Sequence, residues 1–363
     1  MNADTIVSAA ITADDIEDLA LGAAVLGAGG GGDPWLGAVA LAEALRRYGP
    51  LPLVRPDELD PDGLVLTVGA VGDPGAMLEQ LPNGAEVAEV VEHAQRQLGR
   101  TAVALLPLQV GGGTSLLPLA AVAATGLPCV DADTTGRALP RLTMNVLTLA
   151  GIPAAPLVLA DAGGAVVLLQ TADSALAEQL AGCCVERLGL AALVLAHPLS
   201  GRQCARYALA GAVSHCVQIG HRVRAIGHGA ALALAEFLRF CRAETVFTGM
   251  VTTLDRRTRR GGPATTVVLE GDDGERAMRV EAQETNLVAT EDGLPVVTVP
   301  DLVTFLDTAT GTPVPTEALG CGQHVHVVGL PAAARWRSAD GVALAGPAAF
   351  GYDVDHVPLG SRP

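Results

Sequence analysis

Apolar positions in the first half of the chain alternate between two patterns. Between residue 50 and about 170, "GLVLTVGAVG", "TAVALLPLQV", "LPCVDAD" and "APLVLAD" are near-continuous apolar runs. Between them, "GAEVAEVVEHAQRQLG", "LLPLAAVAATG" and the stretch around "LPRLTMNVLTLAG" read as helices. Strands without a polar face, separated by helices, predict a mainly parallel α/β sheet covered on both sides. The pattern changes after Gly164. "TADSALAEQLAGCCVERLG" and the long run from Gln203 to Cys241 are helical, and from Glu244 onward the chain reads as strand and turn. The expected fold is therefore an α/β domain over residues 1–165, and helices followed by a β-rich, α+β domain over residues 166–363.

Ahead of the sheet, Ile16, Leu19, Ala20, Ala23 and Leu26 recur at helical spacing after a capping-box-like start at Thr12. Asp33 and Pro34 then open a second helix that stops at Gly49-Pro50. Between the two lie Gly27 to Gly32, six residues of which only Ala28 has a side chain. A G-x-G-x-x-G match exists there, but a dinucleotide site needs a strand before the loop, and the spacing predicts a helix. No nucleotide is expected. One glycine suffices to end a helix, so the surplus points to backbone N–H groups facing something polar or anionic at a helix N-terminus.

Half of the residues are hydrophobic and 17% are charged, which makes the chain globular. A formal charge of −16 argues against nucleic acid or an anionic membrane as partner. The start "MNADTIVSAAITADD" lacks the basic opening of a signal peptide, and a cytoplasmic homo-oligomer acting on a small molecule is expected. Seven cysteines without a C-x-x-C pair offer neither a disulfide framework nor a zinc knuckle. All 23 basic residues are arginine. Without lysine there is no Walker A loop and no Schiff base with pyridoxal phosphate, so anions must be gripped by guanidinium or backbone N–H.

Three loops fall at the carboxyl ends of inferred parallel strands, where ligands gather in such sheets: Val68 to Pro74, Gln109 to Ser115 and Asp131 to Arg137. Asp131 and Asp133 are candidates for a divalent metal or a divided acid and base; the alternative is a helix cap and a pair with Arg137. Arg137 suits a substrate carboxylate. Gln109, Gly111, Gly112 and Thr114 offer an oxyanion-binding nest. Gln283, Glu284 and Asn286 are polar positions in an inferred half-buried strand and need partners. His324 and His326 share a strand face, and His221 and His228 a helical one, without a third ligand at suitable spacing.

The ordered segments "LGAGGGGDPWLGA", "LPLQVGGGTSLLPLAAVAATGLPCVDADTTGRALPRLTMN", "FTGMVTTLDRRTRRG", "QETNLVA" and "VVGLPAAARWRSADGVALAGPAAFGYDV" resemble the S-methyl thiohydantoin desulfurase-like family, often encoded beside hydantoinase/oxoprolinase genes. The resemblance implies hydrolysis at the C–S carbon of a five-membered ring, releasing methanethiol and leaving a hydantoin. The matching positions are Gly29, Gly30, Gly31, Gly32, Gly111, Gly112, Asp131, Asp133, Gly136, Arg137 and Asn286. The family pattern has a glutamate in place of Gln109, an asparagine in place of Thr114, and Gln-Asn-Glu-Asn where this chain reads Gln283-Glu284-Thr285-Asn286. These departures leave two expectations open: a hydrolase using activated water, with one divalent metal as a candidate cofactor, or a weakened member that binds a small molecule beside a neighbouring ring-processing enzyme.

Overall fold

A computed structural model describes residues 10–79, 85–112, 115–229, 232–259 and 262–361. Thr12 and Asp15 form the expected capping box, the Thr12 amide and hydroxyl each donating to Asp15 Oδ2 at 2.8 Å. After one 3-10 turn comes the helix Ile16–Leu26. The second helix, Pro34–Tyr48, is capped by the Asp33 carboxylate, which accepts from the Trp35 amide at 2.9 Å. Gly27 to Gly32 thus joins two helices, as the spacing predicts.

The first helix crosses Ala212–Gly227 at very close range. A Cβ on Gly220 would lie 1.6 Å from the Asp18 carbonyl oxygen, so only glycine permits the crossing. Arg224 then closes a two-pronged ion pair on Asp18 at 2.8 and 2.9 Å. This crossing fixes where the glycine loop emerges.

The first sheet has eight strands in the order Ala10–Ile11, Leu51–Val54, Cys129–Val130, Ala102–Pro107, Leu64–Gly72, Ala191–Ser200, Leu157–Ala160 and Val166–Leu169. Its central four, Leu51–Val54 to Leu64–Gly72, run parallel, and the flanking pairs are antiparallel. Two of its strands, Val166–Leu169 and Ala191–Ser200, come from the chain after residue 165. The second sheet is an antiparallel eight, ordered Leu294–Thr298, Asn286–Glu291, Ala277–Ala282, Gly262–Gly271, Glu244–Arg259, His324–Leu330, Leu302–Asp307 and Pro313–Val314. Leu302, Leu306, Val328 and Leu330 of this sheet belong to the same apolar core as the first helix. The two layers therefore meet through continuous packing. Among the described residues no helix is long and apolar enough to cross a membrane.

One expected helix is mostly missing. The segment from Leu139 to Gly151 forms only the single turn Val146–Leu149, capped by Asn145. Pro140 disfavours a helix there. The preceding backbone is also engaged elsewhere: the Thr135 carbonyl accepts from Trp336 Nε1 at 2.7 Å, and the Leu139 amide donates to Gln109 Oε1 at 3.2 Å.

Candidate functional site

The glycine loop is sewn to the second domain by its backbone. The Ala28 carbonyl accepts from the Asn286 amide at 2.7 Å, and the Gly29 carbonyl from the Thr316 amide at 2.9 Å. A Cβ on Gly30 would stand 1.6 Å from the Glu284 carbonyl oxygen. The run of small residues is therefore required by close approach between two backbones, beyond what a turn needs. Gly31 and Gly32 take φ of +85° and +74°. Their amides have no hydrogen-bond partner among the described residues and lie just ahead of the helix Pro34–Tyr48. That is where a negative or oxygen-rich group is stabilised.

This loop forms one wall of a cleft of about 450 Å³ between the domains. The end of the strand Leu64–Gly72 contributes Asp73, the loop after Ala102–Pro107 contributes Gln109, and the turn between two strands of the second sheet contributes Glu284. Leu108, Leu142 and Met77 supply apolar surface. Glu284 lines the cleft and is exposed there. Burial pushes its carboxyl above the ordinary value of 4.5, the Asp73 carboxylate pushes the same way, and Arg141 opposes both. The cleft thus holds two carboxylates, and the charge of Asp73 adds to the rise at Glu284. Gln109 Oε1 accepts from Leu139, which leaves its amide NH₂ group without a partner among the described residues. Arg141 lines the cleft and donates to the Ala349 carbonyl at 3.1 Å.

The acidic loop packs against the segment after Ala102–Pro107, where a Cβ on Gly111 would lie 3.0 Å from the Arg137 carbonyl carbon, but its side chains do not line this cleft. Asp131 caps the helix Ala212–Gly227: its carboxylate accepts from the Ser214 amide at 2.9 Å and hydroxyl at 2.7 Å. Asp133 is buried and accepts from the Val110 and Gly136 amides at 3.0 and 2.9 Å. Burial pushes its carboxyl up to about 7, against these donors, which favour the ionised form. Arg137 is fully buried and donates to the carbonyls of Ala138, Pro300 and Asp301 at 2.8 to 3.0 Å and to the Thr285 hydroxyl at 3.3 Å. Burial lowers its pKa to about 10, and the nearby Asp301 charge offsets part of the cost. It clamps the domains together and offers no fork to a cleft ligand.

Asn286 is also internal. Its amide donates to the Val303 carbonyl and its oxygen accepts from the Thr316 hydroxyl at 2.7 Å. The Gly112 amide is held by the Ala23 carbonyl at 2.7 Å, and a Cβ on Gly111 would lie 2.7 Å from the Leu26 carbonyl. Both brace the glycine loop from behind. Thr114 lies outside the described residues. Thr285 turns its hydroxyl toward Arg137, so in the segment Gln283-Glu284-Thr285 only the acid at 284 faces the cleft as a carboxylate.

Three of the candidate histidines have local partners. His324 meets Asp272 at 2.6 Å, His326 meets the Thr248 hydroxyl at 2.8 Å, and His221 lies 3.4 Å from Asp18. Among the described residues no three His, Cys, Asp or Glu side chains gather around a point that could hold a metal. Asp131 and Asp133 have both carboxylates filled by protein donors, so this donor set does not fit a divalent cation. Asp73 and Arg141 were not singled out by the sequence, although the Val68 to Pro74 loop was. A lone acid before a proline carries the signal of a helix start, and the Asp73 Oδ1 does accept from the Ala76 amide at 3.0 Å.

Residues 14–171 match the family model described as "S-Me-THD-like, N-terminal domain", and residues 172–359 match "S-Me-THD-like, C-terminal domain". A crystal structure of a protein from Chromobacterium violaceum superposes with a TM-score of 0.78 at 27% identity, over 96% of this chain and 99% of that one. No curated protein matches the chain.

Proposed function

Because the chain belongs to the S-Me-THD-like family, its two domain models spanning the sequence from residue 14 to 359, we propose that it hydrolyses a small S-methylated thiohydantoin ring in the interdomain cleft. One observation carries this reading: two carboxylates, Asp73 and Glu284, share a cleft with the amides of Gly31 and Gly32, which have no partner among the described residues. Its volume lies within the range of about 300–1,000 Å³ usual for small-molecule sites.

Water adds to the ring carbon that bears the methylthio group. Asp73 takes one proton from that water. Glu284, whose carboxyl is raised from its ordinary value by burial, delivers a proton to the adjacent ring nitrogen. The resulting tetrahedral carbon carries a hydroxyl and the methylthio group. When the C–S bond breaks, Asp73 returns its proton to the sulfur, methanethiol leaves, and the hydroxyl proton passes to Glu284 as the carbonyl forms. Ring and water thus become hydantoin and methanethiol, and both carboxyl groups return to their starting states. Charge that develops on ring oxygen or nitrogen is stabilised by the glycine amides and the Gln109 amide.

The test is direct. Purified protein incubated with an S-methyl thiohydantoin should release methanethiol and the matching hydantoin in equal amounts, read by a thiol reagent and by mass spectrometry. Release no faster than in buffer alone would sink the hydrolase reading.

A further inference from the structure

Gln109 stands in the cleft wall with its backbone held on both sides. Before it, the Leu108 amide donates to the Val68 carbonyl at 2.7 Å, and the Leu108 carbonyl accepts from the Thr134 amide at 3.2 Å and from the Thr134 hydroxyl. After it, the Val110 amide donates to the Asp133 carboxylate at 3.0 Å. Asp133 is in turn anchored on the Gly136 amide at 2.9 Å. The acidic loop, whose side chains do not line the cleft, therefore fixes the stretch of backbone from which Gln109 projects.

One contact then decides the polarity of the side chain. Gln109 Oε1 accepts from the Leu139 amide at 3.2 Å. A backbone amide can only donate, so the oxygen has to face Leu139 and the NH₂ group has to face the other way. Gln109 is half-buried and lines the cleft. Among the described residues, the buried side-chain nitrogen and oxygen atoms without a partner are Thr148 Oγ1 and His356 Nε2. Gln109 Nε2 also lacks a partner there yet is not one of them, so it is open to solvent or to a ligand. Position 109 thus offers the cleft its donors, while its acceptor is engaged by Leu139.

We propose that Gln109 selects the ring: it admits rings that turn a carbonyl oxygen toward it and rejects those that turn an N–H or NH₂ edge there. This rests on the reading of the interdomain cleft as a ring-binding site, and adds which kind of ring atom is recognised. A carbonyl oxygen gives the free NH₂ group its partner. A donor in that place leaves both groups unpaired, and unpaired polar groups are what make hydrogen-bonding sites selective.

Hydantoin and imidazolidine-2-thione are the probes. Both are small five-membered rings with two N–H groups, but hydantoin carries carbonyl oxygen where the thione has only sulfur, a weaker acceptor. Calorimetry on the full-length protein measures affinity. The side-chain NH₂ signals of Gln109, assigned by their loss in Gln109→Leu, report the contact by NMR. Wild-type protein should bind hydantoin at least about tenfold more tightly than the thione, the worth of roughly one hydrogen bond, with a saturable shift of the Gln109 NH₂ signals. Gln109→Leu should remove most of that preference. Gln109→Glu keeps an acceptor for Leu139 and turns a carboxylate oxygen to the ring, so it should bind hydantoin more weakly than Gln109→Leu. A role in shape alone gives the opposite order, because glutamate is closer to glutamine in shape. That opposite order, or Gln109 NH₂ signals unmoved at saturation, would overturn the proposal and leave the ring-binding cleft standing. Hydantoin that fails to bind wild-type protein at all would overturn both together.

Discussion

The loops Gly27–Gly32 and Asp131–Arg137 both sit in the first domain, both are rich in residues that bind ligands, and both match the family pattern. They play opposite parts. The glycine loop has no side chain to offer beyond a methyl, yet it lines the cleft and leaves two amides open. The acidic loop carries two carboxylates and a guanidinium, and every one is turned inward onto protein donors or acceptors. The difference shows that ligand-binding capacity is set by which polar groups remain unsatisfied after folding, and not by how many a segment contains.

The largest test of that contrast removes the clamp. Arg137→Leu leaves the carbonyls of Ala138, Pro300 and Asp301 without their donor, and urea unfolding should show a loss of about 3–5 kcal/mol. An unchanged midpoint would mean that the guanidinium is not structural. Next comes Gly30→Ala, whose methyl must displace the Glu284 carbonyl. A misplacement near 1 Å can cost about 10²-fold in rate, whereas overpacking costs about 1–3 kcal/mol in stability. Thiol release should therefore fall far more than the unfolding midpoint suggests, and wild-type turnover would contradict the close packing of the two backbones.

The smallest effect concerns proton affinity. Asp73→Asn removes the carboxylate charge that helps to raise Glu284, so the Glu284 carboxyl should titrate at lower pH, nearer its ordinary value. It should stay somewhat above that value because burial is the larger cause. The Glu284 carboxyl carbon signal across a pH series checks this, and an unmoved titration would place the two carboxylates too far apart to share a task.

Local signals made much of the frame legible. Thr12, Asp33 and Pro34 announce the two helices that bracket the glycine loop, and the strand-and-turn character after Glu244 announces the second sheet. The strand Ala191–Ser200 leaves no legible signal, because a short apolar run beside helices carries no distinguishing period. The site was legible only where local sequence decides. Gly30, Gly31, Gly32, Gln109 and Glu284 line the cleft. The inward fate of Asp131 depends on Ser214, 83 residues away, and that of Arg137 on Pro300, 163 residues away. No spacing rule reaches so far. For the same reason Asp131 and Asp133, two residues apart, read as an acid pair, while the two carboxylates that line the cleft, Asp73 and Glu284, come from distant segments.

The central claim, that the cleft carboxylates and not the acidic loop do the chemistry, is tested most directly by measuring methanethiol release from Glu284→Gln and Asp131→Asn side by side, with unfolding midpoints for both. Glu284→Gln should lose about 10²- to 10⁴-fold in turnover, the usual contribution of a general acid, while keeping its midpoint. Asp131→Asn should keep its turnover and lose about 1 kcal/mol of stability, the usual cost of weakening a helix cap. The reverse pattern, with Asp131→Asn inactive and Glu284→Gln near wild type, would contradict the account.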